Sequence, residues 1–217
     1  MKKQVSDSIK NSAVLALSGG FQDAYTYNLR EQVFANAQTG NVVLFSQNLM
    51  TGNVMLAFQY LIPIFSFTLG VMVAESIRFR HREDKKLHWR QRILITEIVL
   101  LFIVGFLPNS INAVANALVS FTCAMQVQSF RTVNGHGFAS TMCIGNIRSG
   151  TEYLSRYIRS KHREDLSVAS QYFGIIIMFA VGAGIGGILS LQIGFKAIWF
   201  TSGLLLLSFF MMRHRDK

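Results

Sequence analysis

Charge and cysteine are what this chain has little of. Only 15% of its 217 residues are charged, against roughly 25% in an ordinary soluble domain, which speaks against a water-solvated globule. Cys123 and Cys143 are its two cysteines, both in apolar or motif segments, and they make neither a disulfide framework nor a metal-ligand cluster. Enzyme signatures are missing as well. There is no HExxH, no Walker loop and no GxSxG, and none of the five histidines falls within a long apolar run, so the metalloprotease and serine hydrolase classes lose their support. A non-enzyme without cofactor or metal is expected.

What is present is apolar length. Hydrophobic residues make up 51% of the chain and the mean hydropathy is +0.34. Six runs approach the roughly 20 residues needed to cross a bilayer: 12–29, 54–77, 93–107, 111–130, 168–191 and 195–212. Pro108-Asn109 and Gln192-Ile193-Gly194 read as tight turns between neighbouring runs. The apolar part of the first run, residues 13–17, is too brief for a cleavable signal peptide, so that run is expected to be a retained helix.

A net charge of +10 would suggest nucleic acid if it lay on a soluble face, but its placement points elsewhere. Of 21 Lys and Arg, seven fall between Arg78 and Arg92 and four between Arg156 and Arg163. Lys2, Lys3 and Lys10 lie at the N-terminus, and Arg213, Arg215 and Lys217 at the C-terminus. Basic short loops stay cytoplasmic. The expected localisation is therefore a bacterial inner or plasma membrane, multi-pass, with both termini cytoplasmic, the bilayer as partner and no nucleic acid.

Equal sidedness of these basic segments requires an even number of crossings between them. Three apolar pieces precede Arg78, so the 39–50 stretch, short and interrupted by Ser46, Gln47 and Asn48, is expected not to cross. The same holds for 144–158, which carries Arg148, Glu152 and Arg156. These two stretches follow related motifs: Phe34-Ala35-Asn36 with Thr39-Gly40-Asn41, and Phe138-Ala139-Ser140 with Ile144-Gly145-Asn146. Gln22 and Gln126 match at the same offset of 104 as Phe34 and Phe138, and after one inserted residue Gly40-Asn41 match Gly145-Asn146. The expected fold is all-α integral membrane, one domain over 1–217. Its six transmembrane helices form two inverted three-helix repeats, 1–107 and 108–217, each with a re-entrant or half-membrane motif helix.

Asp23 is the acidic residue nearest the middle of an expected crossing. A charge there costs roughly 2.5–3.5 kcal/mol on insertion scales, so it should face a lined interior. It reads either as a proton, cation or substrate site, or as an acceptor for the broken backbone of the neighbouring motif. Thr39 is expected to cap a helix whose N-terminus, with that following Gly145, aims N–H groups at an anion or carboxylate. Gln22, Gly40, Asn41, Gln126 and Asn146 complete the expected binding set. Arg131 joins it as an anion or Asp23 partner, although it and Arg30 also stand where arginine snorkels to headgroups. Glu75 and Glu97 are expected at the interface, and His136 in a loop. Gly182-x-x-x-Gly186 should bring helices together within the subunit or across a homo-oligomer.

The run Gly19-Gly20-Phe21-Gln22-Asp23-Ala24, followed by Phe34-Ala35-Asn36 and Thr39-Gly40-Asn41, resembles the signature of the YoaK family of small bacterial membrane proteins, a domain-of-unknown-function family. Ile144-Gly145-Asn146 departs from the Thr-Gly pair more usual there. The resemblance covers essentially the whole chain and implies a polytopic membrane protein without an established substrate. The function expected is a secondary transporter or channel-like permease for a small polar or anionic solute, proton- or cation-coupled through Asp23. The alternative is a non-transporting assembly or sensor subunit.

Overall fold

The computed structural model describes residues 5–84 and 87–213, and Lys2, Lys3, Lys85, Lys86, Arg215 and Lys217 lie outside the described residues. Among the described residues the fold is all-helical apart from one small hairpin. In chain order come α1 (Ile9–Leu29), α2 (Gln38–Met50), α3 (Val54–His81), α4 (Trp89–Val104) and α5 (Asn112–Ser129). Then follow β1 (Thr132–Val133), β2 (His136–Gly137), α6 (Cys143–Ser160), α7 (Arg163–Ile193) and α8 (Trp199–Arg213). Local chemistry sets several boundaries. The Ser8 hydroxyl accepts from the Asn11 N–H at 3.3 Å and opens α1, His88 and Gln91 form a reciprocal cap on α4, and Gly194, at φ +63°, stops α7. Among the described residues, the stretches Val54–His81, Asn109–Ser129 and Arg163–Met212 are long and apolar enough to cross a membrane.

Hydrogen bonds identify what gathers at each end of the bundle. At one end the Asn134 N–H donates to Asp7 O at 2.7 Å, Arg90 reaches Ser6, Asp7 (3.1 Å) and Ser129 O, and the end of α8 meets the start of α1 through Ser208 and Asn11. Both described chain ends and the basic segment before α4 therefore share one side. At the other end Arg30 donates to Leu107 O at 2.9 Å and Asn112 Oδ1 at 2.8 Å, while Gln59 donates to Glu31 O.

Helix pairing crosses between the two halves of the chain. The first helix of the early half, α1, lies along α7, whereas its counterpart α5 lies along α3; α2 leans on α3, α6 on α7, and α4 on α8. Glycines make these approaches close. A Cβ at Gly182 would strike the Leu17 backbone, and one at Gly186 would stand 2.8 Å from Phe21 Cα, so the Gly182-x-x-x-Gly186 spacing serves packing within the subunit. A Cβ at Gly70 would likewise strike the Phe121 backbone. Leu17 and Phe121 differ by 104 positions, the offset relating Gln22 to Gln126. Gly20 does the same from the α1 side, meeting Phe179 and Ala183.

The main core joins Leu15, Phe21 and Tyr25 of α1 to Leu94, Leu101 and Val104 of α4, Ala115, Val119 and Cys123 of α5, and Leu205 of α8. Two expectations about charged residues are overturned here. Arg30 does not snorkel: it is 0% exposed, bonded to Tyr25 Oη, Asn112 Oδ1 and the carbonyls of Val104, Leu107 and Pro108, with its guanidinium 4.1 Å from the Phe195 ring centre. It caps the end of α4, whose last carbonyls have no helical partner. Glu97 is not interfacial. It is 0% exposed on the same face of α4 as Leu94, Leu101 and Val104, so Asp23 is not alone as a central acid. Glu75 stays half-exposed, beside Arg78 and Arg131.

The hairpin also revises the repeat alignment. Asn134 and Gly135, at φ +49° and +88°, form its turn, and Val133 pairs with His136. Asn41 clamps its preceding loop by donating to Phe34 O at 2.8 Å and accepting from Phe34 N at 3.3 Å. Asn146 does the same to Ala139, at 2.7 and 3.4 Å. The structural counterpart of Phe34 is thus Ala139 rather than Phe138. The extra residue is taken up before the clamp, in the segment that holds the hairpin.

Candidate functional site

The loop before α2 turns back along α1 because its polar backbone finds acceptors and donors there. Asp23 Oδ1 accepts from the Asn36 N–H at 2.8 Å, and Asn36 Nδ2 donates to Gly19 O at 3.1 Å. Without these bonds an unpaired, irregular backbone inside the bundle would be costly. The loop before α6 is tied differently. Gln126 Nε2 donates to Leu15 O and Ser140 Oγ, both at 3.1 Å, while Val127 stands where the first half has Asp23. One half anchors its motif with a carboxylate and the other with an amide.

Both loops deliver their helix N-termini to one cavity of about 890 Å³. Asn36, Ala37, Gln38 and Thr39 line it from the first motif, and Thr141, Met142, Cys143 and Ile144 from the second. Each first-motif residue and its counterpart differ by 105 positions, the offset the Asn41 and Asn146 clamps establish. From the cavity α2 runs toward the end holding Glu31 and Gln59, and α6 toward the end holding Asp7 and Asn134. Phe67 of α3 and Phe179 of α7 line the cavity as well. Each stands three residues before its close-approach glycine, Gly70 or Gly182, so the spacing Phe-x-x-Gly recurs in the two longest helices. Asp23, Tyr27 and Asn28 complete the polar side, and most of the remaining wall is apolar.

The expected site residues distribute themselves unevenly around this space. Asp23 and Thr39 line it. Thr39 is not the cap of α2, which begins at Gln38 after Ala37 without a side-chain cap. Asn41 and Asn146 stand behind the loops as clamps, Gly40 packs beneath the Phe34 ring, and a Cβ at Gly145 would meet only open space. Gln22, bonded to Ser18 and to the Cys123 thiol, and Gln126 belong to the contact between α1 and α5. Arg131 lies away from the cavity, 3.8 Å from Glu75. His136 sits in β2, 3.3 Å from Tyr153 Oη.

Asn36, Thr141, Phe67 and Phe179 were not among the residues expected from sequence. The repeated Phe-x-x-Gly spacing was a readable signal for the two phenylalanines. Asn36 and Thr141 were readable only as counterparts once the alignment was shifted by one.

The arrangement can hold a solute with an apolar body and a polar end. Asp23 Oδ1 is engaged by the loop backbone, so a ligand that competes for this carboxylate would also disturb the first motif. Among the described residues, no group of three or more His, Cys, Asp or Glu is arranged to hold a metal ion.

The profile of a family described as Protein of unknown function (DUF1275) matches residues 12–211. No curated protein and no solved structure matches the chain.

Proposed function

We propose that this chain, which belongs to the DUF1275 family of unknown function, is a secondary transporter or channel-like permease for a small polar solute, anionic or amphipathic. The observation that carries the proposal is the cavity of about 890 Å³ into which two broken-helix N-termini, one from each half, open beside Asp23. Interrupted helices that meet at a central site are the usual construction of a transport site in an inverted-repeat protein. Helix N-termini favour a negatively charged or hydrogen-bond-accepting group, and Phe67, Phe179 and Ile64 offer the apolar contacts a solute body needs.

In this reading the membrane is crossed six times, by α1, α3, α4, α5, α7 and α8, with α2 and α6 as half-membrane elements entering from opposite faces. The crossed pairing of α1 with α7 and α5 with α3, the matched asparagine clamps and the opposite directions of α2 and α6 support it. Basic residues gathered near Arg90 support a cytoplasmic location for that end. The likeness to the YoaK signature fits a bacterial plasma membrane protein.

Two experiments test the proposal. Single cysteines at Gln32 and Gly137, in a background without Cys123 and Cys143, should label from opposite sides of the membrane; labelling from one side would refute the inverted arrangement. A solute-uptake screen in proteoliposomes should find a flux that falls when Phe67→Trp and Phe179→Trp fill the cavity and changes with Asp23→Asn. The hydrogen bond from Asn36 to Asp23 also suits a purely structural carboxylate. Flux unaffected by all three variants would favour the assembly or sensor role.

A further inference from the structure

Glu97 is the buried acid that the proposed transport site does not use. It is 0% exposed, and among the described residues neither carboxyl oxygen has a hydrogen-bond partner. Its neighbours along the face of α4 are Leu94, Leu101 and Val104, all fully buried in the main core. A carboxylate buried without a partner is an uncompensated charge, and proteins remove such a charge by pairing it, by binding a cation or by protonating it.

The charges on the surrounding elements are committed elsewhere. On α4 itself, Arg90 is paired with Asp7 and Arg92 with Asp84, at the start of the helix. Arg78 of α3 pairs with Glu75 and lies over Trp89. Lys196, before α8, lies over Trp199 at the opposite end, and residues 199–212 of α8 contain no titratable side chain. Among the described residues, no ion pair includes Glu97.

Packed against α4, α5 brings no charged side chain to Glu97, since residues 112–129 contain no Asp, Glu, Lys, Arg or His. The two helices run antiparallel: Arg90 of α4 bonds Ser129 O at one end, while Val104 and Asn112 share Arg30 at the other. Glu97, midway along α4, is therefore level with the middle of α5. Cys123, the one titratable side chain of α5, donates its thiol hydrogen to Gln22 Oε1 at 2.7 Å and so is committed to α1.

We propose that Glu97 is a second, core-embedded proton-binding site, distinct from the cavity carboxyl Asp23. Proton uptake forms one O–H bond at the Glu97 carboxylate with a proton taken from solvent, and it consumes no other reactant. Its use in coupling rests on the transport reading above; its existence as a proton site does not.

Infrared spectroscopy of the protein in lipid nanodiscs tests this directly. Wild type at neutral pH should show the carbonyl stretch of a protonated carboxyl in an apolar setting. The band should be lost in Glu97→Gln, kept in Asp23→Asn and shifted but retained in Glu97→Asp, a variant that also covers the case in which Glu97→Gln does not fold. A wild-type spectrum without the band, or a band that survives Glu97→Gln, overturns the proposal. If the infrared result holds while no solute is transported, the transport reading fails and the proton site stands.

Discussion

Replacing Arg30 by Met removes every donor from the most densely bonded side chain in the bundle while keeping an apolar stem of similar reach. Leu107 O and Asn112 Oδ1, which accept from the guanidinium at 2.9 and 2.8 Å, lose that donor beneath a fully buried residue, whereas Val104 O keeps the Leu107 N–H at 3.1 Å. Each of the two acceptors left unsatisfied costs roughly 1–3 kcal/mol, and water reaching the end of the bundle recovers part of this, so a total of about 3–4 kcal/mol is expected. That is a shift on the order of a hundredfold to a thousandfold in the unfolding equilibrium. Titrating the protein with dodecyl sulfate in mixed micelles measures it, with a thiol-reactive dye reporting exposure of Cys123, which is 2% exposed when folded. Arg30→Lys should recover the smaller part, because one ammonium does not span acceptors arranged around a planar fork. If Arg30→Met unfolds within about 0.5 kcal/mol of wild type, as an ordinary surface substitution would, Arg30 does not hold the end of α4.

Three further outcomes follow from the packing. Asn41→Ala and Asn146→Ala should each lower stability by about 1–3 kcal/mol, and the double variant should lose the sum within about 0.5 kcal/mol, measured by the same titration. Gly182→Val should cost about 3 kcal/mol or more by forcing α7 off the Leu17 backbone, whereas Gly184→Ala, where a Cβ meets nothing within 4 Å, should leave the thermal midpoint unchanged. In the segment before α4, a hydrogen bond from His81 chiefly, with the Arg92 charge assisting, holds the Asp84 carboxyl below its ordinary range. Its stabilisation is complete above the ordinary carboxylate value and is lost as pH falls through the lowered one. Melting curves across that acid range should therefore be flatter for Asp84→Asn.

Apolar length made the helices readable before any coordinates, because a run long enough to cross a bilayer has little else to become; 54–77 and 168–191 lie wholly inside α3 and α7. The two motifs were readable as a pair for a related reason, since each polar interruption needs the same asparagine to close its loop. Fates decided by distant partners were not. Arg30 looks like a headgroup arginine at the end of an apolar run until the turn after α4 folds over it, and Glu97 looks interfacial until α5 and α8 cover it. The misplaced insertion had a local cue: Asn134-Gly135 is a strong two-residue hairpin signal, and reading it would have put the extra length between Gln126 and the second motif.

The crossed pairing of helices has a consequence for synthesis. When the ribosome has released only the first half, Gly70 has no Phe121 to close on and Leu17 has no Gly182. Each half therefore emerges with its closest-packing surfaces bare. α3 finds its partner once α5 is made, but α1 waits until α7 is made. A truncated chain that stops before α7 accordingly leaves the glycine face of α1 without its partner. The two halves made as separate chains should find each other, since each supplies the long helix on which the other's first helix lies.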